Sequence, residues 1–235
     1  MEDFYKHKKY LQSFAVRGRS LSPDQNYLML DVLKKFSASV NCERIFENIE
    51  QCERKINFEI GFGDGKNLIE RATKFPEQIF IGCEVYKKGL FRVASYIKDN
   101  DAANIYFYEG DGREFIAKIP DNSLFRIYIL FPDPWPKVRH NKRRIINSDS
   151  LKLFASKMRS DGLLYTATDD RGYAEHMLCC FENNDFAIKN LPRYCKSVED
   201  KLNALEKPSD WRETKYEAKA IELSKKIFYI VAMKI

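Results

Sequence analysis

Three observations predict an α/β fold with an open sheet. From residue 56 onward, short apolar runs typical of buried strands alternate with amphipathic stretches of helical spacing. A turn with three glycines, residues 61–65, follows the first of these strands, as in folds that bring backbone close to a nucleotide-like ligand. The chain has 235 residues, which is enough for one such domain and short for two. We therefore expect a basic arm over residues 1–20 and a single domain over residues 21–235.

The composition is that of an ordinary globular protein. Hydrophobic residues make up 44% of the chain and charged residues 31%. No apolar run approaches membrane-spanning length, and the amino terminus lacks the apolar core of a signal peptide, so no membrane partner is expected. The six cysteines form no C-x-x-C pair and no metal-ligand spacing, which favours free thiols over disulfides or a metal site. We expect a protein of the reducing cytoplasm.

Positive charge is concentrated in one short segment. The formal net charge is +6, and residues 137–144 contribute +5 of it without a single acid. A local positive field of this kind predicts a docking surface for an anion, although most charge runs are simply solvated. Residues 1–20 are also basic, with interspersed aromatic residues, and are either a solvated terminus or an arm that touches nucleic acid.

Periodicity and breaker residues predict the remaining elements. Helices are expected at residues 24–36, 68–72, 89–98, 148–159 and 173–181, with a charged helical stretch at 41–55. Strands are expected at residues 56–60, 78–85, 104–108, 124–131, 163–168 and 185–191. Residues 199–211 are polar and predict a surface loop. Residues 218–223 and 226–233 predict a terminal hairpin, which would place an antiparallel strand in the sheet.

The glycine turn, residues 59–65, does not have the spacing of a phosphate-binding motif. The third glycine of a G-x-G-x-x-G fingerprint would fall on Lys66, and the pattern of a P-loop fails as well. Glu59 and Asp64 would repel a pyrophosphate, whereas they suit a cationic ligand. S-adenosylmethionine carries an α-ammonium and a sulfonium and no phosphate, so it fits this turn. An ordinary strand-to-helix turn with surface carboxylates explains the motif equally well.

Acidic residues also follow the next two strands. Glu84 lies 19 residues after Gly65, close to the spacing at which an acid meets a ribose diol in nucleotide-binding folds. Asp111 follows the third strand, where a carboxylate can accept a hydrogen bond from the amino group of an adenine. The alternatives are a strand-end acid that faces water and an aspartate that closes a turn between two glycines. The repetition of acids after three successive strands favours a ligand site.

The most strand-like run, residues 124–131, leads into the proline-rich loop P-D-P-W-P-K. In an open α/β sheet a ligand lies outside the carboxyl ends of the strands, so this loop is expected to face the cofactor. Its prolines would hold Asp133 and Trp135 in fixed positions. A rigid turn around one buried tryptophan is the alternative. An acid among prolines, followed directly by the basic residues 137–144, weighs against it.

Together these segments resemble the bacterial tRNA (guanine-N7-)-methyltransferases, from about Ser13 to the end of the chain. The resemblance is carried by E-I-G-F-G-D-G (59–65), the glutamate of G-C-E-V (82–85), F-P-D-P-W-P-K (131–137) with R-H-N-K-R-R (139–144), A-T-D (167–169) and T-K-Y-E (214–217). The segment S-F-A-V-R-G-R (13–19) matches as well. The glycine motif is shared by many methyltransferases, whereas the proline loop with its basic continuation is far more specific.

The resemblance implies a Rossmann-like methyltransferase sheet of seven strands, mostly parallel with one antiparallel strand, and helices on both faces. It implies S-adenosylmethionine as the cofactor, bound by Glu59, Gly61, Gly63, Gly65, Glu84, Asp111 and Asp133, and no metal. It implies that Asp133 is catalytic and that substrate is bound by Lys137, Asp169, Thr214, Lys215, Tyr216 and Glu217. RNA is expected to contact Arg139, His140, Asn141, Lys142, Arg143 and Arg144. The implied target is the variable-loop guanine of tRNA, position 46.

This chemistry agrees with what the chain lacks. Guanine N7 has a free lone pair, so its attack on a methyl group needs no general base, and the three histidines of the chain are scattered. Alignment and electrostatics should therefore dominate catalysis. Asp133 is expected to accept hydrogen bonds from the N1–H and the amino group of the guanine. Trp135 either stacks on a base or forms a wall of the pocket.

Three other functions stay open on the sequence alone. A loose likeness of residues 133–135 to the D-P-P-Y loop would direct the methyl group to another base atom, an exocyclic amino group, although the second proline and the tyrosine are missing. A small-molecule methyltransferase would not need the basic segment. A non-catalytic RNA-binding protein on a methyltransferase scaffold would not need the glycines or Asp133. Nothing in the sequence indicates the oligomeric state.

Overall fold

The computed structural model describes residues 20–47, 54–184, 186–192 and 194–235. The basic arm expected over residues 1–20 lies outside this part of the chain except for its last residue, and so do residues 48–53 of the expected helical stretch. Among the described residues, no helix combines the length and the apolar character needed to cross a bilayer. The cysteines of the described part are free thiols.

The strands are β1 (Ile56–Ile60), β2 (Ile79–Glu84), β3 (Ile105–Glu109), β4 (Leu124–Leu130), β5 (Met158–Thr168), β6 (Phe186–Ile188) and β7 (Phe228–Lys234). They form one sheet of seven strands in the order β3-β2-β1-β4-β5-β7-β6. Strands β1 to β5 pair in parallel, and β7 pairs antiparallel with both β5 and β6. The sheet is therefore mostly parallel with one antiparallel strand, which confirms the expectation.

The central strands are buried on both faces. Every residue of β1 and of β2 is buried, which is why these strands read as continuous apolar runs and not as alternating ones. Two of the buried residues in β1, Asn57 and Glu59, are polar. They are two positions apart and therefore lie on the same face of the sheet. Asn57 donates a hydrogen bond to Oε1 of Gln78 at 3.0 Å, and the carboxylate of Glu59 accepts one from Asn67.

Helices cover both faces of the sheet. They are α1 (Pro23–Phe36), α2 (Cys42–Phe46), α3 (Lys66–Lys74), α4 (Lys87–Asn100), α5 (Gly112–Ile116), α6 (Ser148–Lys157), α7 (Arg171–Glu182), α8 (Val198–Ala204) and α9 (Lys215–Glu222). A 3-10 helix, Val138–Arg143, follows the proline-rich loop. Helices α1, α3 and α4 bury one apolar cluster, and α5, α6 and α7 bury another on the opposite face. This burial supplies most of the driving force for folding.

The predicted terminal hairpin is wrong in its first half. Residues 218–223 lie in or at the end of α9, and β7 pairs with β5 and β6 instead. The helix begins at a capping box: Oγ1 of Thr214 accepts from the amide of Glu217 at 3.1 Å, and the Glu217 carboxylate accepts from the amide of Thr214 at 3.4 Å. T-x-x-E is a helix start signal, and it outweighs the short apolar run that suggested a strand.

Residues 199–211 are also not the surface loop that their polarity predicts. Their first part belongs to helix α8, where the hydroxyl of Ser197 accepts from the amide of Asp200 in a second capping box. Trp211 is buried and lies edge-on to Tyr229, with ring centroids 4.9 Å apart. Together with Tyr165, these rings form a third apolar cluster over β4, β5 and β7. The segment is therefore a packed cover for that part of the sheet.

Candidate functional site

The site lies at the switch point of the sheet, where β1 and β4 are neighbours and the strand order changes direction. In open α/β sheets, ligands bind outside the carboxyl ends of the strands at such a point. The glycine turn leaves β1 there, and the proline-rich loop leaves β4 there. The sheet therefore brings the two most informative motifs of the sequence to one crevice.

Two glycines of the turn have different tasks. Gly61 and Gly65 have φ angles of 73° and 81°, which are unfavourable for any residue with a Cβ. A Cβ at Gly65 would lie 2.5 Å from Cγ2 of Val93, so this glycine lets α3 and α4 approach each other. A Cβ at Gly61 would meet no heavy atom within 4 Å. Gly61 therefore keeps open space at the crevice.

Glu59 is a carboxyl group held inside the protein at the edge of this space. It is 4% exposed, and its Oε2 accepts from Nδ2 of Asn67 at 2.9 Å. Oδ1 of Asn67 in turn accepts from Nε of Arg71 at 3.0 Å. Burial raises the pKa of Glu59 to about 7, against the opposing effects of Asn67 and Arg71. A cation arriving beside this group would favour its ionised form.

Glu84 connects the end of β2 to the glycine turn. Its Oε1 accepts from the amides of Val85 and Tyr86 at 2.7 and 3.0 Å, and its Oε2 accepts from the amide of Gly63 at 2.7 Å. The side chain is nearly enclosed. Glu84 therefore fixes the position of the turn relative to the next strand.

Asp111 caps helix α5 and is held by one arginine. Its Oδ1 accepts from the amide of Arg113 at 2.9 Å and from Nε of the same residue at 3.0 Å, while Nη2 of Arg113 lies 2.7 Å from Oδ2. Glu109, the last residue of β3, pairs with Nζ of Lys87 at 2.6 Å, whereas Asp111 is held by its own helix. The carboxylate thus has a defined orientation at the end of β3.

Asp133 lies on a backbone that is strained on both sides. Phe131 and Trp135 have φ angles of 52° and 44°, and left-handed conformations are rare for bulky residues. Each such residue costs about 1–3 kcal/mol and persists only where the surroundings hold it. The amide of Phe131 donates to the carbonyl of Ala167 at 2.8 Å. Asp133 itself is exposed between its two prolines.

Tyr216, which is 58% exposed, lies where several loops of the crevice meet. Its ring stacks on that of Phe131, with centroids 6.5 Å apart, and a Cβ placed on Gly63 would lie 3.5 Å from it. Burial raises the pKa of the Tyr216 hydroxyl, and the charges of Glu84 and Asp133 raise it further. The glycine turn, the end of β2, the proline-rich loop and the start of α9 therefore meet around this side chain.

The enclosed part of the crevice is small. A cavity of about 20 Å³ lies between the glycine turn and the start of α9, and its lining includes Glu59, Gly61 and Tyr216. A larger cleft, of about 520 Å³, lies at the opposite ends of the strands beside Ile79 and Asn104, and none of the predicted site residues lines it. Of the predicted site residues, Glu59, Gly61, Thr214, Lys215 and Tyr216 line the smaller cavity.

The predicted RNA-contacting residues do not share one environment. Lys137, Arg139 and Lys142 are exposed, whereas Arg144 is 6% exposed and His140, Asn141 and Arg143 are partly buried. The guanidinium of Arg143 lies 4.8 Å from the centroid of the Trp135 ring. Trp135 is buried, so it forms a wall of the loop in this structure. The segment therefore has an outer, cationic side and an inner side.

The residues that the resemblance assigns to substrate are also in different environments. Thr214, Lys215 and Tyr216 line the small cavity. Asp169 pairs with Nζ of Lys225 at 2.6 Å, which raises the pKa of that lysine. The carboxylate of Glu217 is buried and accepts a hydrogen bond from Nε1 of Trp211 at 2.7 Å.

Sequence reasoning missed the residues that hold Glu59. Asn67 and Arg71 are four residues apart on α3 and are both buried. Arg71 also lies over the ring of Tyr128, 4.3 Å from its centroid, and donates to the carbonyl of Asp210 at 3.3 Å. The signal was an i, i+4 polar pair on the otherwise apolar face of the helix that follows the turn.

Comparison with known proteins adds independent information. A family model described as "Putative methyltransferase" matches residues 53–230. The tRNA (guanine-N(7)-)-methyltransferase of Wolbachia pipientis wMel is 40% identical over 198 residues, covering 81% of this chain and 87% of that protein. The protein of the same name from Erythrobacter litoralis (strain HTCC2594) is 35% identical over 207 residues, covering 86% and 84%.

A solved structure shares the fold. The 16S rRNA methyltransferase KamB has a TM-score of 0.55 and 11% sequence identity, over 81% of this chain and 93% of that chain. At this identity, the likeness concerns the fold alone. It agrees with the Rossmann-like sheet described above.

Proposed function

The chain belongs to the family of tRNA (guanine-N(7)-)-methyltransferases, and we propose that it transfers the methyl group of S-adenosylmethionine to N7 of the variable-loop guanine, position 46, of tRNA in the cytoplasm. The observation that carries this proposal is the meeting of the glycine turn, which Glu84 holds, and the proline-rich loop that carries Asp133 around Tyr216. Exposed cations of residues 137–142 lie directly downstream of Asp133. A carboxylate-lined crevice beside a basic surface suits a cationic cofactor and a polyanionic substrate.

The donor set of the crevice fits S-adenosylmethionine. Glu59 is a buried carboxyl that an ammonium group would ionise, and Gly61 leaves room beside it. Among the described residues, Oε2 of Glu84 accepts one hydrogen bond, so a lone pair remains for a ribose hydroxyl. Asp111, oriented by Arg113, would lie towards the adenine. When bound, the cofactor supplies an electrophilic methyl group on a sulfonium.

The protein therefore has to orient the base, and it needs no group that removes a proton from it. Guanine N7 has a free lone pair, and the purine gains positive charge as N7 forms its bond to carbon. We assign Asp133 to accept from the N1–H and the amino group, which become stronger donors as that charge develops. The strained loop supports this role because it holds the carboxylate in a defined position before the base arrives.

The exposed cations are assigned to phosphates. Lys137, Arg139 and Lys142 are exposed to solvent. Contacts to phosphates set the register of a nucleic acid and make its affinity depend on salt. They would bring the variable loop of tRNA to the crevice.

Methylation of defined transcripts tests this function. The purified protein is incubated with methyl-labelled S-adenosylmethionine and an unmodified tRNA transcript, followed by borohydride reduction and aniline treatment. We expect label in the tRNA and strand scission at guanine 46. A transcript with adenine at position 46 is the matched control and should remain unlabelled.

Two results would contradict the proposal. Label that resists reductive scission would assign the reaction to another atom of the base. Tight binding of tRNA without incorporation of label would identify a non-catalytic RNA-binding protein on a methyltransferase scaffold.

A further inference from the structure

Two arginines of the basic run face the protein. Arg144 is almost fully buried, and Nε of Arg143 is buried without a hydrogen-bond partner among the described residues. Arg139 and Lys142, in the same run, are exposed. A phosphate is a large hydrated anion, so a buried guanidinium cannot bind it as the exposed side chains of Arg139 and Lys142 can. The inward arginines need another explanation.

Arg144 joins the loop of Asp133 to the core. Its Nε donates to the carbonyl of Pro134 at 2.9 Å, and Pro134 is the residue next to Asp133. Its guanidinium lies 5.0 Å from the centroid of the ring of Tyr173, a fully buried residue of α7. The hydroxyl of Tyr173 accepts from the amide of Ile146 at 3.2 Å, so the ring cannot move away freely. One side chain thus spans from α7 to the catalytic loop.

The backbone of Arg144 is fixed as well. Its carbonyl accepts from Nδ2 of Asn147 at 2.7 Å, and Asn147 is the capping residue of α6. Its amide donates to the carbonyl of Asn141 at 3.0 Å, which closes the 3-10 helix. Arg144 therefore approaches Pro134 from a rigid position.

The next residue of the loop is held from the same segment. Trp135 is 8% exposed, with Arg143 over its face and the ring of His140 edge-on at 5.7 Å between centroids. Cation–π contacts of this kind contribute about 0.5–2 kcal/mol. Trp135 has a left-handed φ angle, which it keeps only if such contacts hold it. The basic run consequently supports the loop in addition to facing solvent.

We propose that Arg144 is a positioning residue for Asp133, held between Tyr173 and the Pro134 carbonyl, and that Arg143 fixes Trp135 in the same loop. The phosphate-binding charge of the run is then limited to Lys137, Arg139 and Lys142. This inference rests on the proposed function in so far as Asp133 acts on the base. A lysine cannot replace Arg144, because it lacks the planar group that stacks on a ring while donating sideways.

Arg144→Lys tests the positioning role, and Arg144→Ala with Arg139→Ala form a matched pair that tests for a phosphate contact. Arg144→Lys keeps the positive charge, so a phosphate contact would be largely preserved in it. We expect Arg144→Lys to lower the single-turnover methylation rate at saturating tRNA by about 100-fold, as a misplaced group at a reacting centre does. In Arg144→Ala, the slope of log Kd for tRNA against log salt should stay at the wild-type value, because Arg144 contacts no phosphate. Arg139→Ala, in contrast, should weaken tRNA binding and reduce that slope by about 1.

Two further readouts separate local from global effects. Thermal unfolding checks that Arg144→Lys is folded, and Arg144→Gln is the substitute if it is not. The chain has two tryptophans, and Trp211 is packed against Tyr165 and Tyr229, so a change in acrylamide quenching on substitution of Arg144 is assigned to Trp135. Trp135 should become more accessible to the quencher in Arg144→Lys, in the absence of cofactor and tRNA.

The outcomes are distinct. A wild-type rate and wild-type quenching in Arg144→Lys, or a salt slope in Arg144→Ala that falls as much as in Arg139→Ala, would overturn the positioning role. Failure of the wild-type protein to methylate tRNA would overturn the proposed function instead. Increased quenching in Arg144→Lys would still show in that case that Arg144 holds the loop.

Discussion

The indole Nε1 of Trp211 donates to Oε2 of Glu217 at 2.7 Å, and both side chains are buried. The other oxygen of Glu217 accepts from the hydroxyl of Tyr229 at 2.7 Å and pairs with Nζ of Lys207 at 2.6 Å. Glu217 lies in the first turn of α9, directly after Tyr216. This network therefore sets where α9 begins, and with it the position of Tyr216 over the glycine turn. We therefore expect Glu217 to affect substrate binding through this placement.

Removal of the Glu217 carboxylate should destabilise the protein. In Glu217→Ala, the donors on Trp211, Tyr229 and Lys207 lose their common acceptor, and we expect the free energy of unfolding to fall by about 2–4 kcal/mol. Tyr229→Phe loses one of these bonds and should cost about 1 kcal/mol. Urea unfolding followed by circular dichroism measures both. Unchanged stability with weaker tRNA binding would point to a direct substrate contact.

The affinity for cofactor should depend on pH through Glu59. Burial raises the pKa of Glu59 to about 7, Asn67 and Arg71 oppose that rise, and Glu84 and Asp64 add to it. Below this pH the group is neutral in the free protein and cannot balance an ammonium. We expect the Kd for S-adenosylmethionine to fall by about 10-fold between pH 6 and pH 8, since one pKa unit corresponds to about 1.4 kcal/mol. Calorimetry at several pH values checks this.

Glu59→Gln is the control for this pH dependence. It removes the titrating group at similar size, so the part of the pH dependence of cofactor affinity that is due to Glu59 should disappear.

The raised pKa of Glu59 also affects the stability of the free protein. Because the unfolded chain ionises Glu59 near its ordinary pKa of 4.5, stability from this group is present below that pH and is lost as pH rises to about 7. If Glu59→Gln shows the same pH dependence as the wild-type protein, both in the Kd for S-adenosylmethionine and in stability, the titrating group is not Glu59.

Asp133→Asn should act on the rate and not on cofactor binding. The amide presents N–H groups towards the donors of the guanine, so the stabilisation of the charged base is lost. We expect the single-turnover rate to fall by about 100-fold or more, the range found when an electrostatic partner is removed, with a small change in the Kd for S-adenosylmethionine. Asp149→Asn, an exposed carboxylate at the start of α6, matches the change in charge. Near-normal turnover of Asp133→Asn would reject the catalytic role.

Gly61→Ala and Gly65→Ala should separate binding from packing. Both positions have left-handed φ angles, so each variant pays a similar backbone cost of about 1–2 kcal/mol. The added methyl of Gly61→Ala enters open space at the crevice and should weaken cofactor binding. The methyl of Gly65→Ala meets Val93 and should lower the melting temperature further. Equal melting temperatures together with equal cofactor affinities would contradict this division.

The parts of the fold that depend on local sequence were predictable. Strands such as residues 56–60 and 124–131 follow from apolar runs that only a sheet covered on both faces can bury. The parallel order then follows from the alternation with helices, and it brings the glycine turn and the proline-rich loop to the same edge. The antiparallel strand at the end of the chain was also expected from its apolar pattern, and it pairs with β5, although its predicted hairpin partner is helix α9.

The carboxyl-terminal third was predicted less well, for identifiable reasons. Two capping boxes, at Ser197 and Thr214, mark helix starts that were interpreted as loop and strand. Trp211 lies in a polar stretch, and nothing within that stretch indicates that Tyr165 and Tyr229 enclose it. These rings come from strands that meet only in the folded sheet.

By itself, the sequence determined that this is an α/β protein with an acidic glycine turn, a proline-bound aspartate and a concentrated positive charge. Only the tertiary structure decided which of those charges face solvent: Arg139 does, whereas Arg144 is turned inward by Tyr173, a residue 29 positions further along the chain. The physical reason is that a motif specifies residue types, while the exposure, pKa and contacts of a side chain depend on neighbours that folding brings from distant parts of the chain.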